Sequence, residues 1–190
     1  MIKIAGSAYL ISEEVADKLA ETENTQGVFC VCNIPNSNNQ LLLNKKYVAL
    51  DNLQDPSNLG AIIRTAEALG INGAICHNCC DIYNPKALRA SMGSILRLPV
   101  ILSDNLASDI EIAKSKGFSF YAAVPDSNAE DITEIDFSAS SVIIIGNEGN
   151  GISEPVKAAA NKLVTINMLG RAESLNASMA GAIAMWEMLR

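Results

Sequence analysis

The sequence predicts an α/β domain, a mostly parallel sheet flanked by helices. Three observations carry this. Strand-like and helix-like segments alternate along nearly the whole chain. The strand segments, such as "SSVIIIG" (140–146), are unbroken apolar runs instead of alternating ones, which marks strands buried on both faces. A chain of 190 residues, 49% of them hydrophobic, is long enough for one such core.

Each element follows from local chemistry. "SEEVADKLAET" (12–22) reads as a short helix, with Ser12 as cap and two acids at its positive end. "GVFCVCNIP" (27–35) is apolar and β-branched and is expected as a strand, followed by the loop "NSNNQ". "KYVALDNL" (46–53) is a second strand. "DPSN" (55–58) turns the chain into the helix "LGAIIRTAEALG", which stops at Gly70. "GAIC" is a strand, "NPKALRAS" a helix with Pro85 near its start, and "LPVIL" a strand. "ASDIEIAKSKG" is a helix, and "FSFYAAV" and "SSVIIIGNEG" are strands. "SEPVKAAAN" is a helix, "LVTINM" a strand, and an apolar helix closes the chain.

Composition excludes several classes. No stretch approaches the roughly 18 unbroken apolar residues of a membrane span, and "MIKIAGSAYLISEE" is no signal peptide, so the expectation is a cytoplasmic protein without a membrane partner. Five cysteines with no export signal read as reduced thiols. "CHNCC" (76–80) holds the single histidine, but a structural zinc site needs a second ligand pair and only Cys30 and Cys32 are on offer, so no metal is expected. A net charge of −7 opposes global binding to a polyanion. Two windows free of acid, 82–103 and 155–172, nevertheless carry Lys86, Arg89, Arg97, Lys157, Lys162 and Arg171, enough for a local phosphate-binding patch.

In a doubly wound sheet, ligands bind where strands end. Four such loops carry unusual residues: "QDPSNLGAIIR", "PDSNAED", "NEGNGIS" and "LGRAESLNAS". The glycines of "GNEGNG" have neither the spacing nor the early position of a dinucleotide fingerprint, and no Gly-Lys-Ser/Thr follows as in a P-loop, so a nicotinamide oxidoreductase is the weaker reading. They suit close approach of backbone to a flat ligand. The last loop places Glu173, Ser174, Asn176 and Ser178 at the mouth of the closing helix. One of these would suffice as a cap, so the excess reads either as redundant capping or as a binding site at the helix's positive end.

"LDNLQDPSNLGAIIRTAEALG", "VIIIGNEGNGIS" and "INMLGRAESLNASMAGAIA" resemble, in order and spacing, the three signature motifs of the SpoU/TrmH family, the SPOUT-class RNA ribose 2′-O-methyltransferases. "NPKALRASMGSILRLPV" is similar to the family's stretch between the first two, and the likeness covers about residues 25–190. The resemblance implies S-adenosylmethionine as methyl donor and a ribose 2′-hydroxyl of structured RNA as acceptor, rRNA before tRNA. It also implies a C-terminal trefoil knot, against the usual rule for connections, and a homodimer packed through the closing helix. There Ala180, Gly181 and Ala184 would allow close approach and Met185, Trp186 and Met188 would supply apolar area.

Carried over by position, the catalytic set implied is Asn58, Arg64, Glu148, Ser174 and Asn176. Cofactor contacts would come from Ala122, Ala123, Gly146, Asn147, Gly149, Ile166, Met168 and the run Ser174, Leu175, Asn176. Lys86, Arg89, Arg97 and Arg171 would meet RNA. Arginine is a permanent cation and an odd base, so Arg64 serves either deprotonation of the ribose hydroxyl or its orientation. Blander roles exist: Asn58 as a helix cap, Arg64 paired with Glu67 or Glu148, and the whole as a cofactor-binding, RNA-associated module without catalysis. Residues 1–25 read as a remnant or linker of an N-terminal substrate-binding domain, with 26–190 as the catalytic domain.

Overall fold

A computed structural model describes residues 6–20, 25–34 and 40–190. Two compact units divide the chain, Met1–Pro35 and Asn36–Arg190. In the first, α1 (Glu13–Leu19) is capped by the Ser12 side chain, which accepts from the Val15 amide. None of its residues is buried. The strand expected at 27–35 does not form over the described residues 27–34. Strand propensity is realised only against a partner strand; here Val28, Val31 and Ile34 stay exposed. The loop expected at 36–40 falls mostly outside the described residues.

The second unit is the α/β domain. Its sheet comprises β1 (Lys46–Asp51), β2 (Ala74–His77), β3 (Val100–Ser103), β4 (Ser119–Ala123), β5 (Glu130–Asp131), β6 (Ser141–Ile145) and β7 (Lys162–Thr165). The spatial order is β3-β2-β1-β6-β4-β7-β5, and every neighbouring pair is parallel. The two-residue strand β5 was not evident in "PDSNAED". Helices α2 (Pro56–Leu69), α3 (Pro85–Ser91), α4 (Leu106–Ser115), α5 (Glu154–Ala159) and α6 (Ala177–Leu189) complete the fold.

Period-two geometry makes both faces apolar. Val48, Leu50, Ile143 and Ile145 point to one core with Ile62, Ile63 and Ala66 of α2 and Ala184, Met185 and Met188 of α6. Tyr47, Ala49, Val142 and Ile144 point to the other with Leu106 and Ile110 of α4 and Val156 of α5. Helix α2 can lie close on α3 because Gly60 has no side chain. A Cβ there would sit 2.5 Å from the Ala87 carbonyl oxygen.

Helix α2 starts earlier than the sequence implied. Asp55 is its cap, accepting from the Ser57 amide at 2.9 Å, and Pro56 occupies the first helical position. Asn58 therefore lies inside the first turn, buried, and is free for another role. Among the described residues, no helix is long and apolar enough to cross a membrane.

Candidate active site

The strand order sets β1, β6, β4 and β7 side by side, so the loops leaving their carboxyl ends converge. Between three of these loops lies an open cleft of about 190 Å³. Ala123, Val124 and Pro125 form one wall, and Ile145 to Gly149 with Gly151 a second. Ile166, Met168, Ser174, Leu175, Ala177 and Ala180 close it.

The second wall is a tight hairpin. Asn147 and Gly151 exchange backbone hydrogen bonds of 2.9 and 3.0 Å, and the Asn147 side-chain oxygen accepts from the amides of Gly149 and Asn150. Gly151 needs its glycine, with φ +68°. Gly146 needs it for space, since an added Cβ would meet backbone atoms of Gly151 and Ile152 at 2.3 Å. Buried Asp51, at the end of β1, ties down the hairpin's exit by accepting from the Ser153 amide at 2.7 Å. It also accepts from Asn52, and its Oδ1 lies 2.8 Å from His77 Nδ1.

A relay of side chains joins the three motif loops. Glu148 Oε1 accepts from Asn58 Nδ2 at 3.0 Å, and the two carboxylate oxygens accept from the amides of Asp55 and Gln54. Asn58 Oδ1 in turn accepts from Asn176 Nδ2 at 3.1 Å. Asn176 Oδ1 accepts from the Ser178 amide at 2.9 Å and its hydroxyl at 2.6 Å, which makes Asn176 the cap of α6. An ionised carboxylate only accepts. Glu148 therefore orients the Asn58 amide, which orients Asn176, so one charge sets every polarity in the relay.

Burial pushes the Glu148 carboxyl up, but the hydrogen bonds from Asn58 and from the backbone amides of Glu148, Asp55 and Gln54 outweigh it and hold it below its ordinary range. Because the folded value is depressed, the relay's contribution is fully present above the unfolded value of about 4.3 and is lost as pH falls through the folded one. Glu148 is thus an anchor and a poor proton acceptor. The rate of any reaction here should show no Glu148 limb between about pH 5 and 8; an acidic limb near neutrality that vanishes in Glu148→Gln would contradict this. Glu148→Gln itself turns an N–H₂ toward one set of donors, and we expect about a tenfold loss of activity, the worth of one or two hydrogen bonds.

The remaining residues divide clearly. Ala123, Gly146, Asn147, Gly149, Ile166, Met168, Ser174 and Leu175 line the cleft, whereas Ala122 is fully buried in β4, one residue short of it. Ser174 and Glu173 are exposed and leave the capping to Asn176, so the surplus of polar groups at this helix mouth is not redundant capping. Arg64 is not brought to the relay. It lies six residues beyond Asn58 on α2, about 9 Å along the axis, exposed, and its side chain makes no hydrogen bond or ion pair among the described residues. Neither Glu67 nor Glu148 pairs with it.

The basic patch is weaker than the sequence implied. Arg97 is held by Glu67, with Nη2 to Oε2 at 2.7 Å, and the hydrogen bonds from Arg97 and Ser94 push the Glu67 carboxyl down to about 2. Lys86 pairs with Asp55 at 3.2 Å. Both acids lie outside the acid-free windows and arrive through the fold. Arg89 and Arg171 are exposed. Residues that sequence reasoning missed are Gln54, Asp55 and Asp51. Asp55 alone left a signal, as an Asp before Pro at a helix start.

The cleft and relay lie within the stretch that one family model matches. The SpoU rRNA Methylase family model matches residues 45–186. The chain belongs to this family. A relative from Bacillus subtilis (strain 168), the 23S rRNA (guanosine(2553)-2′-O)-methyltransferase RlmP, is 33% identical over 95% of the chain and 71% of its own length. An AdoMet-bound rRNA methyltransferase from Sinorhizobium meliloti superposes with a TM-score of 0.82 at 32% identity, over 93% of this chain and 69% of that one. The SpoU methyltransferase AviRb from Streptomyces viridochromogenes, in complex with AdoMet, gives 0.70 at 31% identity over 78% of this chain. The chain spans only 60% of that enzyme's length.

Proposed function

We propose that this SpoU-family chain is an S-adenosylmethionine-dependent RNA methyltransferase acting on a ribose 2′-hydroxyl, with rRNA as substrate before tRNA. One observation carries the reading: the Glu148–Asn58–Asn176 relay pins three motif loops at the rim of one cleft. The family match and the RlmP and AdoMet-bound relatives support it. Every residue of relay and cleft lies in the unit of residues 36–190, to which we assign catalysis.

The cleft fits the cofactor. Ile145, Ile166, Leu175 and Ala180 give apolar walls for a flat purine, and strand-end backbone at Ala123–Val124 and Gly146–Asn147 offers polar groups at the edges. When bound, S-adenosylmethionine supplies a methyl group on a cationic sulfur. Transfer makes an oxygen–carbon bond, breaks the sulfur–carbon bond, and releases the hydroxyl proton. The chain's share is positioning: a methyl transfer needs attacking oxygen, carbon and sulfur in line, and a fixed relay at the rim restricts the ribose to that geometry. Glu148 holds the relay as a carboxylate. Arg64, a cation whose side chain has no partner among the described residues, is assigned to the RNA phosphate, which leaves the proton to that phosphate or to water.

Two structural readings accompany this. Strand β7 lies between β4 and β5, both earlier in the chain, an order that supports the family's C-terminal knot. A homodimer through α6 is supported by Met179, Ile183 and Trp186, which form an exposed apolar stripe at helical spacing. Of the residues that the sequence implied for this face, Trp186 is exposed. Gly181, Ala184, Met185 and Met188 are buried in the chain's own core, and Ala180 lines the cleft. Trp186→Asp should therefore yield a folded monomer by sedimentation; an unchanged dimer would exclude this face. The same reading places the protein in the cytoplasm.

The direct test is incubation with methyl-labelled S-adenosylmethionine and either rRNA or tRNA transcripts. We expect label in rRNA; cofactor binding without transfer to either RNA would favour a non-catalytic module.

A further inference from the structure

The Asn147–Gly151 hairpin that walls the cofactor cleft also lines a second depression, of about 310 Å³. Asn52, Gln54, Asn147, Asn150, Gly151 and Ser153 line it. No charged or apolar side chain is among them, so it suits neither a phosphate, nor a cation, nor an aliphatic group. Amides and a hydroxyl are the groups that read the edge of a nucleobase.

Most of these amides are already committed. Asn147 spends its oxygen on the Gly149 and Asn150 amides and donates to the Asn52 carbonyl at 2.8 Å. Asn52 donates to Asp51 and accepts from Asn78. Gln54 Nε2 donates to the carbonyls of Asn78 at 2.8 Å and Asn52 at 3.3 Å. Carbonyls only accept, so the Gln54 amide cannot be turned, and its Oε1 is left as a fixed acceptor on a residue that lines the depression. The Asn150 side-chain amide and the Ser153 hydroxyl make no hydrogen bond among the described residues. The free set is one fixed acceptor, one amide that gives and takes, and one hydroxyl.

We propose that this amide-lined depression binds the base of the RNA nucleotide being methylated, with an N–H of the base donating to Gln54. The proposal rests on the RNA-methylation reading above. Position supports it, because the two cavities share Asn147 and Gly151 of the same hairpin. Glu148 stands at that hairpin's tip with Asn58 beside it. A nucleotide with its base here presents its ribose to the relay at the rim of the cofactor cleft.

The test uses the full chain saturated with S-adenosylhomocysteine, followed by NMR of side-chain and backbone amides, with each of the four ribonucleoside 5′-monophosphates added in turn. We expect at least one of them to shift the Asn150 side-chain amide, and Asn150→Ala to weaken its binding about fivefold, the worth of one hydrogen bond. Ser153→Ala provides a second variant on the same wall. If S-adenosylhomocysteine leaves the Gly149 amide unmoved, the functional reading fails and the proposal with it. If it binds but no nucleotide moves Asn150, or Asn150→Ala binds the nucleotide as tightly as wild type, the proposal alone is overturned.

Discussion

Arg64→Ala lowers methyl transfer about a hundredfold, the scale of a lost positioning contact, while cofactor affinity and melting temperature stay at wild-type values. The structure makes this separation sharp. Arg64 is exposed, its side chain touches no partner among the described residues, and it lines neither cavity. Removing such a side chain changes stability by about 0.5 kcal/mol or less. Any loss of rate then reports a contact made only to RNA. Arg64→Lys keeps a charge but not the planar fork, so it should recover only part of the rate. A variant that unfolds or loses the cofactor would show Arg64 to be structural.

Gly146→Ala acts in the opposite way, through the fold of the site. Its added methyl would lie 2.3 Å from the Gly151 carbonyl carbon and the Ile152 nitrogen, both backbone. Neither can rotate aside, so the hairpin must open. Overpacking of this kind costs about 3 kcal/mol, which for a chain of this size lowers the melting temperature by about 6–12 °C. Opening the hairpin also displaces Glu148 and one wall of the cleft, so cofactor binding should be lost with stability. Gly149→Ala is the control. There the nearest atom to an added Cβ is Asn147 Oδ1 at 3.6 Å, ordinary contact, and the fold should persist. Equal tolerance at the two positions would contradict the geometry.

The central strands were readable because burial on both faces leaves an unbroken apolar run, as in the fully buried β6. The loops that build the site were readable because their polar and glycine residues interrupt those runs at strand ends. What escaped depends on tertiary partners. "GVFCVCNIP" has strand composition but, among the described residues, no strand pairs with it. Asn58 looked like a cap because Asp55, three residues earlier, does that work. The closing helix is apolar all round, so its sequence could not tell Met185, which faces the core, from Trp186, which faces out. Charge behaved likewise: Arg97 and Lys86 stand in acid-free windows, yet Glu67 and Asp55 reach them from α2 and its cap.

The chemical position of the transferred methyl group tests the central claim most directly. Ribosomal RNA labelled by this protein from methyl-labelled S-adenosylmethionine is digested with alkali, which cleaves the chain by attack of a free 2′-hydroxyl. Transfer to that hydroxyl leaves the label in an alkali-resistant dinucleotide, and Arg64→Ala should remove that product while the cofactor still binds. Label recovered in mononucleotides would mean that a base is methylated and would contradict the account.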